Sequence, residues 1–304
     1  MIITQRFEAL PNVPRVFALG NFDGVHLGHQ ALLLRAVERA RELQGVAIAM
    51  GFAPHPLKVL GFPIETITTE DVKAQLLANL GLDVYFALPF TRQLAEMPPD
   101  DFVQAVLLEQ AETRLVVVGF NYSFGRNAIG TPAYLQQLLQ VKGISVDIVP
   151  PVMFAGEPVS SSRIRQCLRQ GDLPAVQALL GRPYSISGVV QRGDQRGRVL
   201  GFPTANLYNL EGLALPPLGV YGVEVVGLGL GMANLGLRPT FPQAGPALEV
   251  HVLDYVGDLY GMELEVRLLK YIRPERQFEG LIDLKQQLLL DQQIIRDALG
   301  RAEY

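Results

Sequence analysis

The chain has 304 residues, of which 49% are hydrophobic and 18% are charged, and its formal net charge is −4. This composition excludes a disordered tail, and the acidic balance gives no footprint for general nucleic-acid or membrane binding, because both need clustered positive charge. We therefore predict an ordered globular protein with no nucleic-acid or membrane partner, in which local amides and arginines can still bind a small anion.

The N-terminus and the single cysteine indicate the compartment. Residues 1–16 lack the basic start and apolar stretch of a secretion signal, and no apolar run approaches the roughly 20 residues that span a bilayer. Cys167 stands alone, so the chain forms no internal disulfide, and no histidine lies beside it to activate the thiol. We expect a cytoplasmic protein.

The first half alternates short apolar runs with segments of helical periodicity. Five runs rich in Val and Ile are typical of buried strands, at residues 15–20, 46–52, 84–90, 114–120 and 144–152. Between them, residues 30–45, 69–81 and 131–143 repeat apolar residues at helical spacing and end in glycine. This alternation predicts an α/β domain whose parallel sheet is covered on both faces and binds ligands at the carboxyl ends of its strands.

The pattern changes after residue 182. Short strands separated by Gly and Pro turns are predicted at 184–191, 219–228, 248–255 and 263–272, which indicates an antiparallel barrel or sandwich. Helical spacing returns at 278–299, with a docking stripe of Leu281, Leu284, Leu288, Ile295 and Leu299. We predict a first domain of residues 1–182 and a second of residues 183–304.

The stretch "GNFDGVHLGH", residues 20–29, lies between the first predicted strand and the first predicted helix. Gly20 and Gly24 allow a sharp turn, and the following helix start offers unpaired amides. His26 and His29, three apart, can face one way and donate hydrogen bonds to phosphate oxygens. Two alternatives stay open for the histidines, metal ligation and core packing, and Asp23 could bind Mg²⁺ or its own turn backbone.

A second phosphate-type motif, "SSSRIR", occupies residues 160–165. It offers three hydroxyls at a predicted helix start, followed by Arg163 and Arg165, one of which can form a bidentate phosphate contact. The alternative is an ordinary helix cap followed by a solvated basic face.

In the second half, residues 188–207 read as a strand, a glycine-rich turn and the tight "GFPTAN" segment. Gly193 and Gly197 can leave amides free for phosphate, whereas Thr204 and Asn206, two apart, offer hard oxygens of the kind Mg²⁺ accepts. The alternative is an ordinary hairpin with a turn-forming Asn.

Strand alternation in "ALEVHVLDY", residues 247–255, puts Glu249 and His251 on one face. Either side chain could deprotonate a hydroxyl, although a solvated Glu is the commoner case. The glycine-rich segment 227–236 only imitates a dinucleotide fingerprint, because Met232 stands where Gly is needed, and we predict a hairpin turn there.

Taken in order, these motifs resemble those of the bacterial bifunctional riboflavin kinase/FAD synthetases. "HLGH" is similar to the HxGH signature of nucleotidylyltransferases, and "FAPHP" (52–56), "VGFNYSFGRNAIGT" (118–131), "NLGLRPTF" (234–241) and "GDLYG" (257–261) also resemble family motifs. The resemblance implies a Rossmann-like nucleotidylyltransferase domain followed by a riboflavin kinase-type β-barrel with a terminal helix. It implies phosphorylation of riboflavin by Mg-ATP to FMN, then adenylylation of FMN by ATP to FAD and pyrophosphate.

The resemblance also implies residue roles. In the first domain, His26 and His29 bind ATP phosphates and the transition state, and Asn121 helps to hold the substrates. The departing pyrophosphate is enclosed by Ser161, Ser162 and Arg165. The ATP-binding turn comprises Gly20, Phe22, Asp23 and Gly24. In the second domain, Glu249 is the general base, and Arg273 and Phe278 flank the flavin. Six residues bind Mg-ATP: Gly193, Gly197, Gly201, Pro203, Thr204 and Asn206. Of these six, Thr204 and Asn206 are the metal ligands. His55 receives no chemistry.

Two alternatives to the bifunctional enzyme stay open. One is an enzyme with a single working half, against which the intact motif residues argue. The other is a flavin-sensing or nucleic-acid-binding protein that has kept the fold, since fold does not fix function. A homo-oligomer is compatible with the sequence.

Overall fold

The computed structural model describes residues 1–192, 197, 200–237 and 245–300. The chain divides into two compact units, Met1–Ser161 and Ser162–Tyr304. The helix pair between residues 161 and 180 belongs largely to the second unit, whose barrel strands contact the second helix of the pair. The functional boundary at residue 182 stays a prediction.

The first unit contains eight strands and six α-helices among its described residues. They are β1 (Ile2–Thr4), β2 (Arg15–Leu19), α1 (Leu27–Glu42), β3 (Val46–Ala53), α2 (Pro56–Val59), α3 (Glu70–Asn79), β4 (Val84–Pro89), α4 (Arg92–Ala95), α5 (Pro99–Phe102), β5 (Leu115–Gly119), α6 (Pro132–Gln140), β6 (Ser145–Val149), β7 (Met153–Phe154) and β8 (Glu157–Pro158). A π-helical segment, Val103–Gln110, continues α5, and short 3-10 turns lie at Phe7–Ala9 and Arg126–Ala128.

Six strands form one parallel sheet in the order β1-β4-β3-β2-β5-β6. Successive residues of a strand bury themselves on opposite faces: Phe17 belongs to the apolar cluster on one face, and Val16 and Ala18 to the cluster on the other. Strands buried on both faces read as continuous apolar runs, which explains the prediction of β2, β3, β4 and β5; the more exposed edge strand β6 is confirmed as well. The β2 strand lies between β3 and β5, so the chain after Leu19 emerges in the middle of the carboxyl edge.

The second unit is an antiparallel barrel flanked by helices. Its elements are α7 (Ser161–Gln170), α8 (Leu173–Leu180), β9 (Tyr184–Val189), β10 (Ala205–Leu207), β11 (Gly219–Val225), β12 (Gly229–Leu237), β13 (Pro246–Val252), β14 (Glu263–Arg273) and α9 (Leu281–Leu299). The strand order is β10-β13-β12-β11-β14-β9, and a bridge between Gln191 and Asn206 brings the two end strands together. The predicted barrel with its terminal helix is confirmed.

Two predictions about the second unit need correction. In the docking stripe, Ile295 and Leu299 are buried against the barrel, but Leu281 is 64% exposed. Periodicity identifies the apolar face of a helix but cannot say which turns overlap the barrel. Segment 227–236 does begin with a hairpin turn, closed by the Leu228 amide on the Val225 carbonyl, but most of it is the strand β12.

Candidate active sites

The turn after β2 is shaped by residues in the left-handed region. Phe22, Gly24 and Val25 have φ values of 54°, 81° and 41°. A Cβ on Gly24 would lie 3.0 Å from two carbons of Ile67, so both conformation and space call for glycine. The turn is therefore tight, and it connects β2 to the start of α1 at the carboxyl edge of the sheet.

Asp23 fixes this turn to the segment before α3. Its side chain is buried, and its Oδ1 accepts hydrogen bonds from the amides of Ile67 at 2.9 Å and Thr68 at 3.3 Å. The Gly24 amide donates to Thr68 Oγ1 at 3.3 Å, and Ser161 Oγ donates to the Asp23 carbonyl at 2.9 Å. Asp23 therefore bonds to backbone amides more than forty residues away in the sequence.

His26 and His29 lie together at the start of α1. His26 is the N-cap: its Nδ1 accepts a hydrogen bond from the His29 amide at 3.2 Å. The two rings stack with centroids 3.6 Å apart and planes 16° apart, and His29 meets Phe22 edge-on at 5.4 Å. Because Nδ1 of His26 is an acceptor, the proton of its neutral ring is on Nε2, where it can be donated to a ligand.

The stacking weighs against the metal-ligand alternative for the histidine pair. Imidazole lone pairs lie in the ring plane, so two nearly parallel rings cannot both direct a nitrogen at one ion about 2 Å away. Within the described ranges, no group of three or more His, Cys, Asp or Glu side chains is arranged to hold a metal ion. The pair is better suited to donating hydrogen bonds.

His29 is held neutral. Burial is the main cause that lowers the pKa of His29 well below its usual value, and positive charge on His26, when its ring is protonated, and on Lys73 lowers it further. Its buried Nδ1 and the buried Oδ1 of Asn21 have no hydrogen-bond partner among the residues the structure describes. Buried polar atoms are normally satisfied, so these two atoms are exceptions to that rule within the turn.

The other residues predicted for this site are spread over both units. Asn121 follows β5, whose carboxyl end adjoins that of β2, and the side chain is exposed. Ser162 and Arg165 lie in the first turns of α7, in the second unit. His55 caps α2, with Nδ1 accepting from the Leu57 amide at 3.2 Å, in keeping with a loop role.

A cavity of about 400 Å³ opens on the barrel. One cross-strand row supplies much of its wall, because consecutive neighbours across β10, β13, β12, β11 and β14 are Asn206, Glu249, Asn234, Val220 and Arg273. Gly197, Thr204, His251 and Phe278 also line it. The structure thus gathers into one cavity residues that lie more than seventy positions apart in sequence.

The oxygen donors predicted to bind Mg²⁺ lie on this wall. Asn206 is buried, and its Nδ2 donates to the Thr204 carbonyl at 3.4 Å, which leaves Oδ1 as the acceptor of its side chain. Glu249 is the direct neighbour of Asn206 on β13. A hydroxyl, an amide oxygen and a nearby carboxylate form a hard donor set that fits Mg²⁺ when nucleotide phosphates and water complete the coordination.

The "GFPTAN" segment is locked in place by backbone contacts. The Phe202 amide donates to the Gly197 carbonyl at 2.8 Å, and a Cβ on Gly197 would collide with the Phe202 carbonyl. Gly201 has a φ of +86°, and the Pro203 carbonyl accepts from Nδ1 of His251 at 2.9 Å. His251 is thereby committed to holding the segment. Gly193, also predicted here, lies outside the described residues.

A second cavity, of about 780 Å³, lies on the other side of this segment. It shares Thr204 and His251 with the first cavity, and its other lining residues include Gly201, Pro203 and the loop 254–260. The loop contains most of the "GDLYG" stretch. Thr204 therefore lines two spaces large enough for two substrates.

Arg273 and Phe278 both line the first cavity, but Arg273 is also an ion-pair partner. Its guanidinium contacts the carboxylate of Asp291 on α9 at 2.8 Å. Three polar lining residues were missed by the sequence reasoning: Asn234, Glu275 and Arg276. Asn234 belongs to a quoted family motif, but the hydrogen bond from its Nδ2 to Glu275 Oε1, at 3.1 Å, joins residues 41 positions apart and leaves no local pattern.

Two family models match the chain in succession. The model described as FAD synthetase matches residues 11–163, and the model described as riboflavin kinase matches residues 180–299. Proteins named bifunctional riboflavin kinase/FMN adenylyltransferase are similar to nearly the whole chain. The protein of Listeria monocytogenes is 36% identical over 96% of this chain and 95% of its own, and that of Escherichia coli K12 is 36% identical over 94% and 93%.

A solved structure is similar to nearly the whole chain. A crystal structure described as a macrolide-efflux protein from Streptococcus pneumoniae superposes with a TM-score of 0.84 at 31% identity, covering 97% of this chain and 98% of that one. In the part of the present chain that the structure describes, every helix is too short or too polar to cross a membrane.

Proposed function

The chain belongs to the bifunctional riboflavin kinase/FMN adenylyltransferase family, and from that premise we propose which residues carry each of its two reactions. It has both a riboflavin kinase and an FAD synthetase domain and converts riboflavin to FMN and FMN to FAD. One observation carries the residue assignment: Asn206, Glu249 and Asn234 are consecutive neighbours in a single cross-strand row on the wall of one cavity.

In the kinase site, riboflavin occupies the cavity of about 400 Å³ and ATP the cavity of about 780 Å³ on the far side of Thr204. Glu249 accepts the proton of the ribityl 5′-hydroxyl as its oxygen attacks the γ-phosphorus of ATP, and ADP leaves. Thr204 and Asn206 hold Mg²⁺, which neutralises phosphate charge when bound. Support comes from the shared position of Thr204 and from the oxygen donors of the wall.

The glycine-rich and flavin-side residues complete this site in the proposal. Gly197, Gly201 and Pro203 shape the backbone against the ATP phosphates, in keeping with the tight contact between Gly197 and Phe202, and the family motif alone assigns Gly193 to ATP binding. Arg273 and Phe278 flank the flavin, in keeping with their place on the cavity wall.

In the adenylyltransferase site, an oxygen of the FMN phosphate attacks the α-phosphorus of ATP and pyrophosphate leaves. His26, through Nε2–H, and neutral His29 donate hydrogen bonds to the phosphate oxygens as charge develops. The turn of Gly20, Phe22, Asp23 and Gly24 brings helix-start amides to the phosphates. Asn121 holds the substrates, and Ser161, Ser162 and Arg165 bind the pyrophosphate. Support comes from the stacked rings and from their place at the start of α1.

We also propose that the protein works in the cytoplasm and that its partners are small molecules, with no nucleic acid or membrane and with a homo-oligomer as a compatible state. The net charge of −4 and the phosphate-bearing substrates support this.

The kinase assignment is tested with Glu249→Gln and a matched control, Glu263→Gln, which changes an exposed carboxylate on β14 of the same barrel. We expect Glu249→Gln to slow FMN formation from riboflavin by about 100-fold or more, because a general base typically accelerates a reaction by at least that factor. FAD formation from supplied FMN stays unchanged, as does all activity of Glu263→Gln. Unimpaired FMN formation, or equal loss of both activities, overturns the assignment.

A further inference from the structure

Asp291 on the terminal helix is a fully buried carboxylate, 0% exposed. Both of its oxygens accept hydrogen bonds from the guanidinium of Arg273: Nε lies 3.1 Å from Oδ1 and 3.0 Å from Oδ2, and Nη2 lies 2.8 Å from Oδ2. Gln287 Nε2 adds a fourth contact to Oδ1 at 2.6 Å. A buried charge must be paired and hydrogen-bonded, and this one is bonded on both oxygens.

Arg273 is the last residue of β14 and lines the first cavity, so it connects the buried carboxylate of Asp291 to the cavity wall. Its Nη1 donates to the Pro274 carbonyl at 3.0 Å, and its guanidinium lies 5.7 Å from the ring centroid of Phe278. Arg276 lies 4.5 Å from the same ring. The segment 274–280, which leads from β14 to α9, is therefore attached at its start to the side chain that Asp291 holds.

This segment and α9 form one side of the cavity. Glu275, Arg276 and Phe278 line it from the segment, and Leu284 and Leu288 line it from the helix. The barrel strands also line the cavity, and Glu249 is among their lining residues. The Asp291–Arg273 pair joins α9 to the carboxyl end of β14.

We propose that Asp291 is a positioning residue for riboflavin binding: it holds Arg273, and through it the segment 274–280, in the conformation that receives the flavin. This rests on the proposed flavin site. Arginine has many rotamers, and a side chain that is ordered before binding loses less freedom when the ligand arrives. Asp291 lies behind the wall and acts through Arg273.

The test measures kcat and KM for riboflavin in Asp291→Asn, Arg273→Met and the double variant. Removing the charge while keeping the shape of Asp291 weakens a charge-assisted pair, so we expect the riboflavin KM of Asp291→Asn to rise about tenfold, with kcat changed less than about threefold. FAD formation from supplied FMN stays at the wild-type rate and serves as an internal control. Asp283→Asn, an exposed change on the same helix, leaves KM unchanged.

The double variant separates positioning from general stabilisation of the helix. If Asp291 acts through Arg273, adding Asp291→Asn to Arg273→Met changes KM by less than about twofold, whereas independent effects multiply. Arg273→Met alone leaves the buried Asp291 carboxylate unpaired, whereas the double variant leaves no unpaired buried charge. If Arg273→Met folds poorly, the riboflavin KM can therefore still be measured in the double variant. An unchanged KM in Asp291→Asn, or multiplying effects, overturns the inference.

The failure of this inference and the failure of the proposed site give different results. If Arg273→Met and Phe278→Leu both leave the riboflavin KM unchanged, the flavin does not bind at this wall and the proposed site is wrong. If those two variants raise KM and Asp291→Asn does not, the site stands and only the positioning role of Asp291 is wrong.

Discussion

Asn206 and Glu249 face each other across β10 and β13, and the bridge from Gln191 to Asn206 fixes the same strand from its other side. Directly opposed side chains in an antiparallel pair have Cβ atoms about 5 Å apart. Backbone pairing thus places the proposed base, Glu249, beside a proposed metal ligand, Asn206. The other proposed metal ligand, Thr204, lies near both because it is two residues before Asn206.

Thr204→Val removes one hydroxyl while keeping the shape of the side chain. We expect FMN formation to fall by about tenfold or more and to need more Mg²⁺, because a hard oxygen donor is lost. Thr204→Ser keeps the hydroxyl and should stay close to wild type. The rate is measured against Mg²⁺ concentration for the three proteins, and equal Mg²⁺ dependence in all of them would show that Thr204 does not hold the metal.

Substitutions of Asp23 test whether its carboxylate has a structural role or a metal-binding role. Asp23→Ala leaves the amides of Ile67 and Thr68 without their acceptor, so we expect a loss of about 1–3 kcal/mol in the free energy of unfolding and slower FAD formation. Asp23→Asn keeps an acceptor oxygen and should retain most of both. Thermal unfolding and FAD synthesis are measured together, and a stable Asp23→Asn protein without adenylyltransferase activity would favour a metal or catalytic role.

Gly28 lies against the His26 ring, and a Cβ there would be 3.1 Å from Cε1. Alanine is favoured over glycine inside a helix by about 0.5–1 kcal/mol, so Gly28→Ala should not lower the melting temperature. The displaced ring should nevertheless slow FAD formation by about threefold to tenfold. Gly188→Ala on β9, where the added atom makes only ordinary contact, is the control. Undiminished FAD formation in Gly28→Ala would mean that the His26 position is not critical.

The lowered pKa of His29 predicts the direction of a pH effect on stability. The unfolded chain binds a proton as the pH falls through about 6.5, whereas the folded protein, with its lower pKa, does not. The stability that neutral His29 contributes is therefore complete above about pH 6.5 and is lost as the pH falls below it. Melting temperatures of wild type and His29→Gln are compared between about pH 5 and 8, and the variant should lose less on acidification. Parallel curves would contradict this.

The strands that escaped prediction have physical reasons for doing so. β1 has only three residues, and Ile2 and Ile3 are exposed, so it lacks the pattern of a buried strand. β12 carries Gly231 and Gly236, which are needed because a Cβ on the first would press on the His251 carbonyl and one on the second would collide with Glu275. Such glycines resemble turn signals in sequence.

Local patterns predicted the parts of the site that fold locally. The spacing of His26 and His29 placed them on one helix start, and strand alternation placed Glu249 on an open face. The cross-strand neighbours of Glu249 and the pairing of Arg273 with Asp291 depend on register and on helix docking, which join distant segments. The structure alone shows that Asp291, in a stretch that reads as an ordinary amphipathic helix, is the ion-pair partner of Arg273 on the wall of the first cavity.

The most direct test of the account is a time course of flavins, separated by chromatography, after riboflavin, ATP and Mg²⁺ are added to the wild-type protein and to His29→Ala. The account predicts that FMN appears first and FAD follows in the wild type, and that FMN accumulates without FAD in His29→Ala. FAD formation at the wild-type rate in His29→Ala would contradict the assignment of the histidine site. Flavin binding with no conversion in either protein would contradict the account as a whole.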